Sequence, residues 1–298
     1  MAPIPPPRAS GFTTSTPVPL YWAEYGAAGA PPLVFLHGGP GAHHDYLLPQ
    51  LLALGDEYDL LFYDQRGGGR SKTEDRTPIT WRTQVDDLDA VLDELRVAPL
   101  TLVGYSWGGL LAMLYAIRAA HGETRHVPAR MVLIDPAPVT REYRARFEEE
   151  FSRRQNGARV AELRAELASS GLRDRDPDAY RQRAFELSVA GYFADPGAAH
   201  DLTPFRVIGR VQQSIWDSLG DFDLLAPGAL DAVGCPTLIV HGRQDPIPLA
   251  SSEAAARAMG AELVVLGGSG HVPYVEQPQA LFAAIRDFLR RTAGFGSF

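Results

Sequence analysis

Cysteine is almost absent from this chain: Cys235 stands alone among 298 residues. No intrachain disulfide is therefore possible, and its place just before Pro236 and an apolar run reads as a buried, inert thiol rather than a nucleophile. No segment approaches the ~18 apolar residues of a membrane span, and the opening MAPIPPPRAS holds no apolar core of signal-peptide length. These lacks set the expectation of a protein of the reducing cytoplasm with no membrane partner. Basic charge is also short, with 28 Lys plus Arg against 36 Asp plus Glu and a formal charge of −8. No basic stripe stands out, which argues against a nucleic-acid partner. The arginines between Arg141 and Arg183 alternate with Glu and Asp, as on a solvated helical surface. No CxxC or HExxH pattern occurs, and the adjacent His43 and His44 do not suit two ligands facing one metal. DQRGGGRS (64–71) has glycines but lacks the Lys-Ser/Thr of a phosphate-binding loop, and reads as a turn beside the active site. No metal and no cofactor are expected.

What the chain does have is alternation. PLVFLHGG (32–39), YDLLFYDQRG (58–67), LTLVGYS (100–106), RMVLIDPAP (130–138), PTLIVHG (236–242) and AELVVLGG (261–268) are apolar runs ending in Gly, Pro, Asp or Ser. Strands buried on both faces lose polar alternation and look like this. Between them lie helical patterns. In TWRTQVDDLDAVLDELRV, Val85, Leu88, Leu92 and Leu95 fall at helical spacing and Thr80 is a suitable N-cap. SWGGLLAMLYAIRAA, LASSEAAARAMG and PQALFAAIRDFLRR supply further helices. The alternation predicts a mostly parallel, doubly wound α/β sheet. PLYWAEYG (19–26) fits an antiparallel edge strand. From Thr140 to Leu225 strand signals vanish while helical periodicity continues, too long for a simple crossover. The division expected is a core of 1–139 and 226–298 with a helical cap, or lid, of 140–225.

GYSWG (104–108) follows a strand and opens a helix, the setting of a G-x-S-x-G nucleophile elbow. Its serine must stand at a strained strand-to-helix turn with Oγ exposed, and flanking glycines remove side chains that would clash there. A serine hydroxyl needs a base, and the base needs an orienting acid. In this arrangement the order is Ser, then Asp or Glu, then His. VHGRQDPIP places Asp245 after one strand and LGGSGHVPY places His271 after the next, both on the rim of Ser106. Asp135, after RMVLI, is the competing acid. An oxyanion hole requires backbone N–H donors; Trp107, after the nucleophile, and Gly39, in HGGPG (37–41), are the candidates. His37 is expected to order that loop, and His241 to be a packed, hydrogen-bonded residue.

HGGPG, YDQRGGGRS, TWRTQVDDLDAVLDELRV and GYSWGG, in this order and spacing, resemble the prolyl aminopeptidase (proline iminopeptidase) branch of the α/β-hydrolases, closely over about residues 20–138. The resemblance implies an α/β-hydrolase fold with its helical cap after the sixth strand. It also implies Ser106 as nucleophile, Asp245 as acid and His271 as base. Proline-specific enzymes of that branch use cap glutamates to hold the substrate's terminal ammonium, which makes Glu148, Glu149, Glu150, Glu186 and Asp217 the candidates here. Tyr105 departs from the glycine usual in that branch, and GSGHVPYVEQP follows the general α/β-hydrolase ending. The function expected is a serine aminopeptidase that releases N-terminal residues from short peptides. A carboxylesterase or lactonase on the same three residues is the alternative, and a non-catalytic ligand receptor on this fold a remote one. The partner expected is a small-molecule or short-peptide substrate.

Overall fold

The computed structural model describes residues 3–74 and 76–294. Eight strands form one sheet: β1 (Ala9–Phe12), β2 (Tyr21–Gly26), β3 (Pro32–Leu36), β4 (Asp59–Tyr63), β5 (Thr101–Tyr105), β6 (Arg130–Ile134), β7 (Thr237–Gly242) and β8 (Glu262–Leu266). Their spatial order is β1-β2-β4-β3-β5-β6-β7-β8. β2 pairs antiparallel with β1 and β4, and from β4 to β8 every pairing is parallel. PLYWAEYG is thus antiparallel, as its sequence suggested, but it is not the edge. β1 covers it, a four-residue strand whose alternating exposed positions gave no apolar run to detect.

Every residue of β5, β6 and β7 is buried, and successive side chains of a strand point to opposite faces. Leu102, Met131, Leu133 and Ile239 pack on one face beneath helices α1 (Trp81–Glu94), α2 (Trp107–Ala120) and α8 (Leu249–Met259). Val103, Val132, Leu238 and Val240 pack on the other beneath α10 (Pro278–Arg291), which follows the short α9 (Pro273–Glu276). Between β6 and β7 lie five helices: α3 (Arg141–Gln155), α4 (Ala158–Ser169), α5 (Leu172–Arg175), α6 (Pro177–Ser188) and α7 (Gly209–Leu219). The arginines here pair at helical spacing, Arg144 with Glu148 and Arg146 with Glu142 among them. No helix among the described residues is long and apolar enough to cross a membrane.

The start of α1 follows its sequence directly. Val85, Leu88 and Leu92 are buried, and Thr80 caps the helix reciprocally. Thr80 Oγ1 accepts from the Thr83 N–H (3.1 Å) while Thr83 Oγ1 accepts from the Thr80 N–H (2.9 Å). Replacing Thr80 with Ala leaves the Thr83 N–H in search of water, and is expected to cost about 1 kcal/mol. Urea unfolding should show a lower midpoint at unchanged slope.

Candidate active site

The loops after β3, β5, β6, β7 and β8 converge at the carboxyl ends of the parallel strands, where open α/β sheets leave a crevice. Ser106 occupies the turn between β5 and α2 at φ 53°, ψ −118°, a conformation unfavourable for any residue with a Cβ. The turn is over-determined by its surroundings. The Ser106 N–H donates to Ile134 O (3.0 Å), and Ser106 O accepts from the Gly109 and Ala137 N–H groups (2.9 Å each). A methyl group on Gly108 would overlap the Leu36 carbonyl, and one on Gly104 the Gly108 carbonyl. Both bracket glycines are thus required by close backbone approach.

Ser106 Oγ lies 3.0 Å from His271 Nε2, and His271 Nδ1 lies 2.8 Å from Asp245 Oδ2. Asp245 Oδ1 accepts from the Ile247 N–H (2.7 Å), which fixes the carboxylate's rotation. Asp135 is also fully buried, but its Oδ1 takes the Gly242 N–H (2.7 Å); of the two competing acids, Asp245 is the one hydrogen-bonded to His271. Burial pushes the His271 imidazole down from 6.5 to about 4. At neutral pH it is therefore uncharged, with Nδ1–H toward Asp245 and the Nε2 lone pair toward the Ser106 hydroxyl. Burial raises the Asp245 carboxyl, against the Ile247 N–H hydrogen bond that lowers it.

The loop HGGPG is braced from three sides. The buried His37 accepts the Gln65 N–H at Nε2 (3.1 Å), and its Nδ1 faces Gly38 O at 2.9 Å. Gln65 Nε2 donates to His37 O (2.8 Å), and its Oε1 accepts from the Trp107 indole N–H (2.7 Å). The Gly38 N–H is taken by Tyr46 Oη (2.7 Å). Gly39, at φ 60°, and Trp107, the first residue of α2, both line the cavity beside Ser106. The first N–H groups of a helix have no partner within it, and its dipole favours negative charge there. DQRGGGRS is accordingly a brace between the HGGPG loop and Trp107. His241, as expected, is packed: Nδ1 meets Ser252 Oγ (3.0 Å) and Nε2 donates to Ile247 O (3.2 Å).

Three further residues hold the His271 loop. Tyr105 Oη donates to His271 O (2.8 Å). Tyr192, from the inserted segment, stacks on the imidazole at 5.0 Å between ring centres, while its carbonyl accepts the His271 N–H (2.7 Å). Glu276 receives the Gly270 N–H (2.8 Å) and, across the cleft, the Ala194 N–H (2.7 Å). Tyr105 was visible in the sequence as a bulky residue inside the elbow motif. Tyr192 and Glu276 carried no local signal.

The inserted helices roof a cavity of about 500 Å³ above Ser106. Phe147, Phe151, Tyr192, Phe205 and Trp216 give it an aromatic wall, and of the five expected cap acids only Glu148 lines it. Arg144 Nε donates to that carboxylate (2.8 Å), and the Arg144 guanidinium stacks 3.9 Å from the Trp216 ring centre. The other four acids lie elsewhere. Glu149 is exposed on α3, Glu150 is held by Arg153 and Arg154, Glu186 by Gln182 and Arg183, and Asp217 accepts from Gln213. An acid on each turn of a charged helix is a poor guide to which one faces inward.

The sequence profile of the "Alpha/beta hydrolase family" matches residues 33–285, and the chain belongs to that family. It is similar to a proline iminopeptidase of Heyndrickxia coagulans, 25% identical over 273 residues, 88% of this chain and 91% of that one. It is 43% identical over 88 residues to a proline iminopeptidase of Lactobacillus helveticus (strain DPC 4571), a match of 28% of this chain and 30% of that relative's length. Among solved structures, a Mycobacterium smegmatis proline iminopeptidase superposes with a TM-score of 0.68 at 22% identity, covering 95% of this chain and 98% of that one. That likeness concerns the fold alone.

The depressed imidazole generates a pH prediction. A base must be neutral to accept a proton, so with His271 in that role kcat/KM should fall as pH drops through its value in the folded protein. The acidic limb is expected well below histidine's usual 6.5, toward 4. A limb at or above 6.5 would contradict a buried, uncharged His271.

Proposed function

We propose that this chain is a serine hydrolase that works through an acyl-enzyme on Ser106. The observation that carries the reading is the hydrogen-bonded run Ser106–His271–Asp245 on the floor of a roofed cavity. Ser106 Oγ attacks the substrate's carbonyl carbon while His271 Nε2 takes the hydroxyl proton. Asp245 stabilises the imidazolium and holds its tautomer. The Gly39 and Trp107 N–H groups receive the negative charge that develops on the carbonyl oxygen. His271 returns the proton to the leaving amine or alcohol, leaving the acyl group on Oγ. A water then attacks the ester, its proton passing to His271 and on to Ser106, and the acid is released. Ser106→Ala should lower kcat by roughly 10⁴- to 10⁶-fold, and Asp245→Asn by about 10⁴-fold through the wrong imidazole tautomer. More than a tenth of wild-type turnover in purified Ser106→Ala would remove Ser106 from the role.

Within that class we read the substrate as a short peptide with a free N-terminal amine, and the inserted helices as the cap that selects it. Support comes from the proline iminopeptidase relatives and from Glu148, a carboxylate that lines the cavity at its exposed side, where a bound ammonium would need a counter-charge. A specific observation favours a second reading, hydrolysis of apolar esters or lactones. Arg144 already holds Glu148, and the rest of the wall is largely aromatic. The two part on one comparison. For an aminopeptidase, acetylating the amine of an aminoacyl arylamide should cut kcat/KM at least about 30-fold, the low end for breaking a buried charge pair. Glu148→Gln should erase most of that preference. Equal cleavage of free and blocked substrates, with nitrophenyl esters turned over well, gives the ester reading instead.

A further inference from the structure

Behind Asp245 lies a second buried carboxyl whose hydrogen bonding is incomplete. Asp135 follows β6 at φ 41°, a conformation that a non-glycine residue adopts where its surroundings enforce it. Its N–H donates to Val240 O (2.8 Å) and its Oδ1 accepts from the Gly242 N–H (2.7 Å), so it ties the end of β6 to β7. Its Oδ2 is buried with no donor in reach. An oxygen left so is costly. Asp135, Asp245 and His241 present oxygen and nitrogen atoms that all lie within 4.8 Å of one another. Both nitrogens of His241 are engaged, by Ser252 and by Ile247 O, which leaves no spare nitrogen for a metal.

Two carboxylates within 4.8 Å of each other, away from water, do not both ionise. One proton between them satisfies the orphaned oxygen and removes the repulsion. Asp245 already accepts from Ile247 and faces His271, both of which favour its charged form, whereas Asp135 has one backbone donor. We propose that Asp135 is a positioning residue for the reaction: its Oδ2 carries a proton and donates it to the Asp245 carboxylate, keeping that carboxylate charged and aimed at His271 Nδ1. This rests on the acyl-enzyme reading. Desolvation acts the same way, holding the Asp135 carboxyl well above the usual carboxylate range, with the Asp245 charge adding to it. The other titratable groups facing the pair are His241 on β7, His271 on the loop after β8, Glu276 on α9 and Arg154 on α3.

The test uses the whole enzyme with Asp135→Asn and Asp135→Ala. An amide N–H replaces the O–H as donor, so the Asn variant should keep kcat within about threefold and leave the acidic limb unmoved. Alanine removes the donor to a charged acceptor, which should lower kcat about tenfold to a hundredfold. An Asp245 carboxylate without that donor holds protons more strongly, so the limb should also move to higher pH. Infrared difference spectra of wild type against Asp135→Asn at neutral pH should show the C=O band of a protonated carboxyl. That band is independent of turnover, so it decides whether the carboxyl pair holds a proton even if alanine fails to fold or Ser106→Ala overturns the acyl-enzyme reading. Loss of kcat in Asn equal to that in Ala, an Ala variant unchanged in rate and pH profile, or only ionised carboxylate bands would overturn the proposal.

Discussion

The cavity floor depends on one backbone approach, that of Gly108 to the carbonyl of Leu36. Because no side chain separates them, the first turn of α2 sits against the end of β3, and the chain between β5 and α2 must turn within a single residue. Ser106 absorbs that turn at positive φ, at a cost of about 1–3 kcal/mol. The packed strands and the bonds to Ile134, Gly109 and Ala137 hold it there. Oγ is thereby lifted clear of the sheet. The same contact sets the first N–H groups of α2 beside the HGGPG loop, so the raised Ser106 hydroxyl and those N–H groups share one geometric origin.

Burial then decides the electrostatics around that serine. An imidazole enclosed by Tyr105 and Tyr192 loses hydration of its charged form and stays neutral. The enclosure is built partly by the inserted helices, since the Tyr192 ring and carbonyl both meet His271. Glu276 reinforces the seam by bridging the Gly270 and Ala194 N–H groups. The segment that roofs the cavity is thus also part of what holds His271. Changes in that segment reach the His271 loop without touching the cavity floor.

The division of the chain into sheet and inserted helices was readable because it rests on short-range pattern. Fully buried parallel strands leave continuous apolar runs, and the loss of such runs after Thr140 marks the insertion. β1 escaped because four residues with alternating exposure at a sheet edge leave no such run. The cap acids were readable only as a set. Their helices carry charge on several faces, and Glu148 lines the cavity while Glu149, Glu186 and Asp217 do not.

By itself the sequence determined the α/β alternation, the strained serine between two glycines, and the positions of Asp245 and His271 on loops after successive strands. Each is local: a strand end, a turn and a helix start are encoded within a dozen residues. Only the tertiary structure decided that Asp245 rather than Asp135 meets His271. It also decided that Gln65 joins His37 to Trp107, and that Tyr192 and Glu276 tie the roof to the His271 loop. Those pairings join residues far apart in the chain. They arise where separate loops are brought to one rim, and no local periodicity records which side chains then face each other.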